Sequence, residues 1–141
     1  MATPPNTSPA EVVTKFLARW DEHGGLDDAI RDYFLPTTVW ENVGLATTTG
    51  IDEAIALNRG FEAQFGVLAI RVETLAIAAV GNKVLTERID NMLGADGQVL
   101  LPAAVAGIFE IDAQGKITAW RDYFDSAGAL ALQAQAQASK G

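Results

Sequence analysis

Residues 69–125 read AIRVETLAIAAV-GN-KVLTERIDNMLGA-DG-QVLLPAAVAGIFEIDA-QG-KITAWRDYFD. The turn pairs Gly81-Asn82, Asp96-Gly97 and Gln114-Gly115 cut this stretch into four strand-like segments, about Ala69–Ala79, Lys83–Met92, Gln98–Ile111 and Lys116–Phe124. Segments so close together leave no room for crossover helices, so they are expected to form an antiparallel meander.

Upstream the period changes. Ser8-Pro9-Ala10-Glu11 has the spacing of a capping box with proline at the first helical position, and Val12, Val13, Phe16, Leu17 and Trp20 recur on one stripe. This predicts a helix to about His23, ended by Gly24-Gly25. A short helix over about Asp27–Phe34 should stop before Pro36, a strand should cover Thr37–Val43, and a third helix Ile51–Gln64. Ser126–Ser139, rich in Ala and Gln, reads as a terminal helix or a frayed tail, with Ser126, like Ser8, as a helix cap. Helices early and strands late argue an α+β domain whose curved sheet wraps over the N-terminal helices. At 141 residues the expectation is one domain over 1–141, flexible at 1–7 and about 138–141. Met1–Pro9 has neither the basic nor the apolar region of a signal peptide, and no apolar run approaches a membrane span, so the chain reads as cytoplasmic.

Composition narrows the chemistry. Eighteen acidic against ten basic residues give a net charge of −8, which disfavours nucleic acid and anionic membrane as partners. No cysteine is present, so thiolate nucleophiles, disulfides and Cys-based metal sites are excluded. The single histidine, His23, makes a His-pair metal site or a Ser-His-Asp triad a poor expectation; it reads as an inert residue at a helix end. Phosphate-binding loops and dinucleotide fingerprints do not occur. Acid–base work must then fall to carboxylates.

Alternation along strands singles out three sets of residues that share a face: Trp40 with Asn42, Arg88 with Asp90 and Met92, and Trp120 with Asp122 and Phe124. Each sets a charged or amide group beside large apolar side chains. A carboxylate between Trp120 and Phe124 would lose hydration, and its pKa would rise, as a general acid or base requires. Alternation does not decide which face is interior, because Arg121 and Tyr123 make the opposite face of the last strand equally mixed. Arg88, Asp90 and Asp122 could therefore equally be a structural ion-pair cluster or lie on the sheet surface. Glu41 and Glu87 point away from the named sets and read as solvated.

Thr86-Glu87-Arg88-Ile89-Asp90, Gly115-Lys116-Ile117 and Trp120-Arg121-Asp122-Tyr123-Phe124-Asp125 resemble the limonene epoxide hydrolase family, with Trp40-Glu41-Asn42 where that family has Tyr-x-Asn. The resemblance implies a cone-shaped α+β fold with a strongly curved mixed sheet and a deep apolar pocket, often paired into homodimers across the sheets. It implies Asp122 as the base that takes a proton from water, Asp90 as the acid that protonates the epoxide oxygen, Arg88 between them, and Asn42 holding the water. Trp40 stands in for the family's tyrosine, and its indole N–H donates but does not accept. Met92, Trp120 and Phe124 would wall a small apolar epoxide. A vicinal diol would form in one step without a cofactor or metal. Ketosteroid isomerases, polyketide cyclases and non-catalytic lipophile-binding dimers share a similar cone fold, so fold alone does not choose among these functions.

Overall fold

In the computed structural model, residues 7–140 are described; the expected flexibility of residues 1–6 and 141 lies outside them. Helix α1 (Pro9–Ala18) starts as its capping box predicts, with the Ser8 Oγ accepting from the Glu11 N–H at 3.2 Å. A 3₁₀ turn, Arg19–Asp21, ends it two residues before His23. Helix α2 (Gly25–Tyr33) begins earlier than predicted. Gly24, at φ +80°, caps it, and Gly25 packs so close to the Arg19 carbonyl that a Cβ would collide with it. The two glycines end one helix and start the next.

Strand β1 (Phe34–Asn42), the short β2 (Ala46–Thr49) and helix α3 (Gly50–Phe65) follow. Then come β3 (Ala69–Val80), β4 (Lys83–Leu93), β5 (Val99–Ile111) and β6 (Ile117–Tyr123), as the turn pairs predict. The Gly81-Asn82 hairpin has two turn residues, with Val80 opposite Lys83 and Gly81 at φ +61°. Helix α4 (Ser126–Lys140) resolves the tail as helical through residue 140. Its cap is Asp125 and not Ser126: the Asp125 carboxylate accepts from the Gly128 N–H at 2.9 Å, leaving Ser126 as the first helical residue.

One six-stranded sheet has the order β2-β1-β6-β5-β4-β3. β3 to β6 form the expected antiparallel meander, and β1 lies parallel to β6, so the sheet is mixed. Register shifts interrupt the β1/β6, β3/β4, β4/β5 and β5/β6 pairings, and bulges of this kind bend a sheet. The open, curved sheet wraps around α1, α2 and α3, which is the α+β architecture the sequence predicts. No described helix is long and apolar enough to cross a membrane.

The core lies in that concavity. Phe16, fully buried on α1, meets Trp20, Phe34, Phe109 and Trp120 with ring centroids 5.4–6.3 Å apart. Truncating such a ring to alanine costs about 3–5 kcal/mol. Val13, Ile30, Val84 and Ile117 fill the space around it. The inner faces of β4, β5 and β6 are thereby fixed against helices, and the polar residues on those faces are carried into the core.

Candidate active site

Directly paired residues in a sheet point to the same side, so register decides what alternation alone left open. Asn42 pairs with Asp122, Asp122 with Gly107, and Gly107 with Thr86; the adjacent row runs Thr48, Trp40, Trp120, Phe109, Val84. Both rows face the helices. Asp122 and Trp120 are interior, while Tyr123 is exposed and Arg121 pairs with Glu110 at 2.8 Å on the other side. Glu87 is exposed and Glu41 half-buried.

Arg88, fully buried, is the centre of the cluster. Its Nε and Nη2 donate to the two oxygens of Asp90 at 3.0 and 2.9 Å. Its Nη1 and Nη2 donate to the two oxygens of Asp122 at 3.3 and 3.1 Å, and Nη1 also donates to Thr86 Oγ1 at 3.0 Å. Those five bonds match the five N–H donors of a guanidinium, a fork that Lys lacks. The side chains of Asp90 and Asp122 are only 5% and 9% exposed, so the surface placement that alternation allowed is excluded. Trp20 and Phe109 present their rings to the Arg88 guanidinium carbon, with centroids 5.7 and 5.9 Å away.

One cation faces two carboxylates, so the fully ionised cluster is net negative in a dry place. Burial pushes the Asp122 carboxyl above the usual carboxylate range, against the pull of the Arg88 charge and of the N–H bonds from Arg88 and Trp120. Burial opposes the Arg88 charge as well, but Asp122 and Asp90 outweigh it and keep the guanidinium protonated. Burial thus disfavours the charged form of Asp122, while the two carboxylates favour the charged form of Arg88.

Trp120 is more than the wall its apolar face suggests. Its Nε1 donates to Asp122 Oδ1 at 2.7 Å, and its ring is stacked between Trp40, centroid 4.5 Å away, and Phe109, 5.3 Å away. Trp40 and Asn42 are buried, and Trp40 Nε1 and Asn42 Nδ2 have no protein partner among the described residues. Met92 and Phe124 are half-buried. A small hollow of about 10 Å³ beside Trp20, lined by Asn58, Glu62 and Ile70, has room for about one water. A larger one, about 380 Å³, is lined by Pro9, Val12, Asn82 and Ile111 and includes none of the three charged residues.

Three site residues escape the sequence reading. Thr86 accepts from Arg88 and donates its own hydroxyl hydrogen bond to the Gly107 carbonyl at 3.2 Å; its place two residues before Arg88 was the available signal. Gly107 has no sequence signal, yet a Cβ there would overlap Arg88 Nη1 and lie 2.6 Å from Asp122 Oδ1. Thr48 sits on a strand too short to read.

The model of the limonene-1,2-epoxide hydrolase catalytic domain matches residues 7–134, and the chain belongs to that family. Epoxide hydrolase EphG of Mycobacterium tuberculosis (strain ATCC 25618 / H37Rv) is 39% identical over 87 residues, 62% of this chain and 54% of that protein. The chain thus spans about half the length of that curated relative. A solved M. tuberculosis LEH-like epoxide hydrolase superposes with a TM-score of 0.69 at 29% identity, covering 97% of this chain and 92% of that one. A putative SnoaL-like polyketide cyclase from Jannaschia sp. CCS1 superposes with a TM-score of 0.70 at 18% identity, covering 94% and 95%, a likeness of fold alone.

Proposed function

We propose that the chain is a cofactor-independent epoxide hydrolase that adds water to a small apolar epoxide and releases a vicinal diol. The observation that carries this reading is the Arg88 guanidinium bound bidentately to two buried carboxylates on the inner sheet face of a chain of this family. Asp122 takes a proton from water as the water oxygen bonds to a ring carbon. The ring C–O bond breaks, and its oxygen takes the proton of Asp90. The reacting state therefore needs one proton on the pair, placed on Asp90. Asp122 accepts three N–H bonds, two from Arg88 and one from Trp120, and these work against the burial that raises its pKa. Afterwards the proton returns from Asp122 to Asp90. Asn42 and Trp40 orient the water, Trp120 holds Asp122 through its indole N–H, and Met92 and Phe124 wall the epoxide.

Turnover of cyclic and linear epoxides in ¹⁸O-labelled water tests the reaction. One label in each diol, none in the enzyme after a single turnover, and a rate unchanged by a chelator are expected. Label in an aspartate would instead mean a covalent ester route. Solvent deuterium entering a ketone, with no epoxide turned over, would select the ketosteroid-isomerase-like alternative.

The protein partner of this reading is a second copy. Leu85, Tyr123 and Val39 are each more than 40% exposed, and the register places them with Ala104 and Ala106 on the outer sheet face, an apolar area suited to sheet-to-sheet pairing.

A further inference from the structure

Among the described residues, four buried side-chain polar atoms have no protein partner: Trp20 Nε1, Trp40 Nε1, Asn42 Nδ2 and Thr48 Oγ1. Three of the four belong to β1 and β2. Native structures rarely leave such groups orphaned, and a cluster of them marks a place where a water or ligand completes the bonding. Thr48 lies directly across the β1/β2 ladder from Trp40, and Asn42 lies two residues along β1 from Trp40, so all three share the inner face. Asn42 in turn pairs with Asp122.

The chemistry of the three groups is complementary. Trp40 Nε1 and Asn42 Nδ2 only donate, whereas the Thr48 hydroxyl both donates and accepts. A water that accepts from either donor needs acceptors for its own two hydrogens, and the orphan set contains one. We infer that Thr48 is a positioning residue for hydrolysis: its hydroxyl accepts from a water held by Trp40 and Asn42 and so fixes how that water is presented to Asp122. This inference rests on the epoxide-hydrolase reading and adds to it a residue outside the Trp-x-Asn, Arg-x-Asp and Trp-Arg-Asp motifs. Helix α3 packs over β1 and β2, which keeps bulk water from substituting for the hydroxyl.

Thr48→Val keeps the shape and β-branching and removes the hydroxyl, while Thr48→Ser keeps the hydroxyl and removes the methyl. Steady-state kinetics on one epoxide and thermal melts of both variants are compared with wild type and with Asp122→Asn. Thr48→Val is expected to lose about three- to tenfold in kcat, the effect of one hydrogen bond between neutral groups, with KM within twofold. Its melting temperature should be equal to or above wild type, because the hydroxyl removed is a buried one without a protein partner. Thr48→Ser should retain kcat within twofold. A wild-type kcat for Thr48→Val, equal losses in both variants, or a Thr48→Val protein that melts early or fails to fold would each overturn the inference, the last by making the hydroxyl structural. Asp122→Asn separates the two levels. If it loses activity while Thr48→Val does not, only the role of Thr48 fails; if it keeps full activity, the reading of the whole site fails.

Discussion

At the scale of single residues, the site is a contest between burial and charge pairing. The proposed roles make each aspartate separately indispensable, since an amide neither takes a proton from water nor delivers one to an alkoxide. Asp90→Asn and Asp122→Asn are each expected to cost at least about 10²-fold in kcat while the protein stays folded, as measured on the best epoxide of the panel. Either variant retaining a third of the activity would remove its residue from the mechanism. The raised Asp122 pKa has a second consequence, for stability. The folded state binds this proton more tightly than the unfolded chain does. The stabilisation it provides is complete below the unfolded value near 3.8 and is lost as pH rises through the higher folded value. The melting temperature of Asp122→Asn minus that of wild type should therefore increase from acidic to neutral pH. A difference that stays flat or narrows would show that ionisation of Asp122 is not what the folded state resists. The three charged residues were legible because Arg-x-Asp and Trp-Arg-Asp share a strand parity; their interior face was not, because the opposite parity is just as mixed.

At the scale of elements, the sequence displays its own punctuation. Two-residue turns with glycine and a proline-led capping box mark local events, and β3 to β6 and α1 follow them closely. β2 was invisible because four residues carry too little pattern. The parallel contact of β1 with β6 joins positions such as Asn42 and Asp122, and no local signal spans that separation. The β5 strand holds an element-scale test. Gly107 provides the gap through which Arg88 reaches Asp122, at a position with no positive φ, so the requirement there is space alone. Gly107→Ala should push the guanidinium and carboxylate apart, lowering kcat by more than tenfold and the melting temperature by several degrees. A fully active Gly107→Ala enzyme would mean that the cluster tolerates rearrangement and that its bidentate geometry is not needed.

At the scale of the molecule, the inner face of the sheet carries the aromatic core and the charged cluster, while the outer face exposes Val39, Leu85 and Tyr123 beside Glu87 and the Arg121–Glu110 pair. Light scattering at micromolar concentration is expected to give twice the 14.9 kDa chain mass, and Leu85→Asp, on the outer face, a folded monomer. Each protomer carries a charge of −8, so pairing brings like charges together, and the dimer should tighten as salt is raised toward 0.1–0.2 M. Dissociation by salt in that range would point to an ionic interface and away from the apolar sheet face.

All three tryptophans of the chain, Trp20, Trp40 and Trp120, are buried around the charged cluster, and Trp40 and Trp120 lie nearly parallel, 8° apart in plane. Two indoles so close couple their electronic transitions, and the third looks directly onto the guanidinium. The protein therefore carries its own optical probe: its tryptophan fluorescence, and the tryptophan bands of its near-ultraviolet circular dichroism, come from around the site, so occupancy can be followed by light without a label.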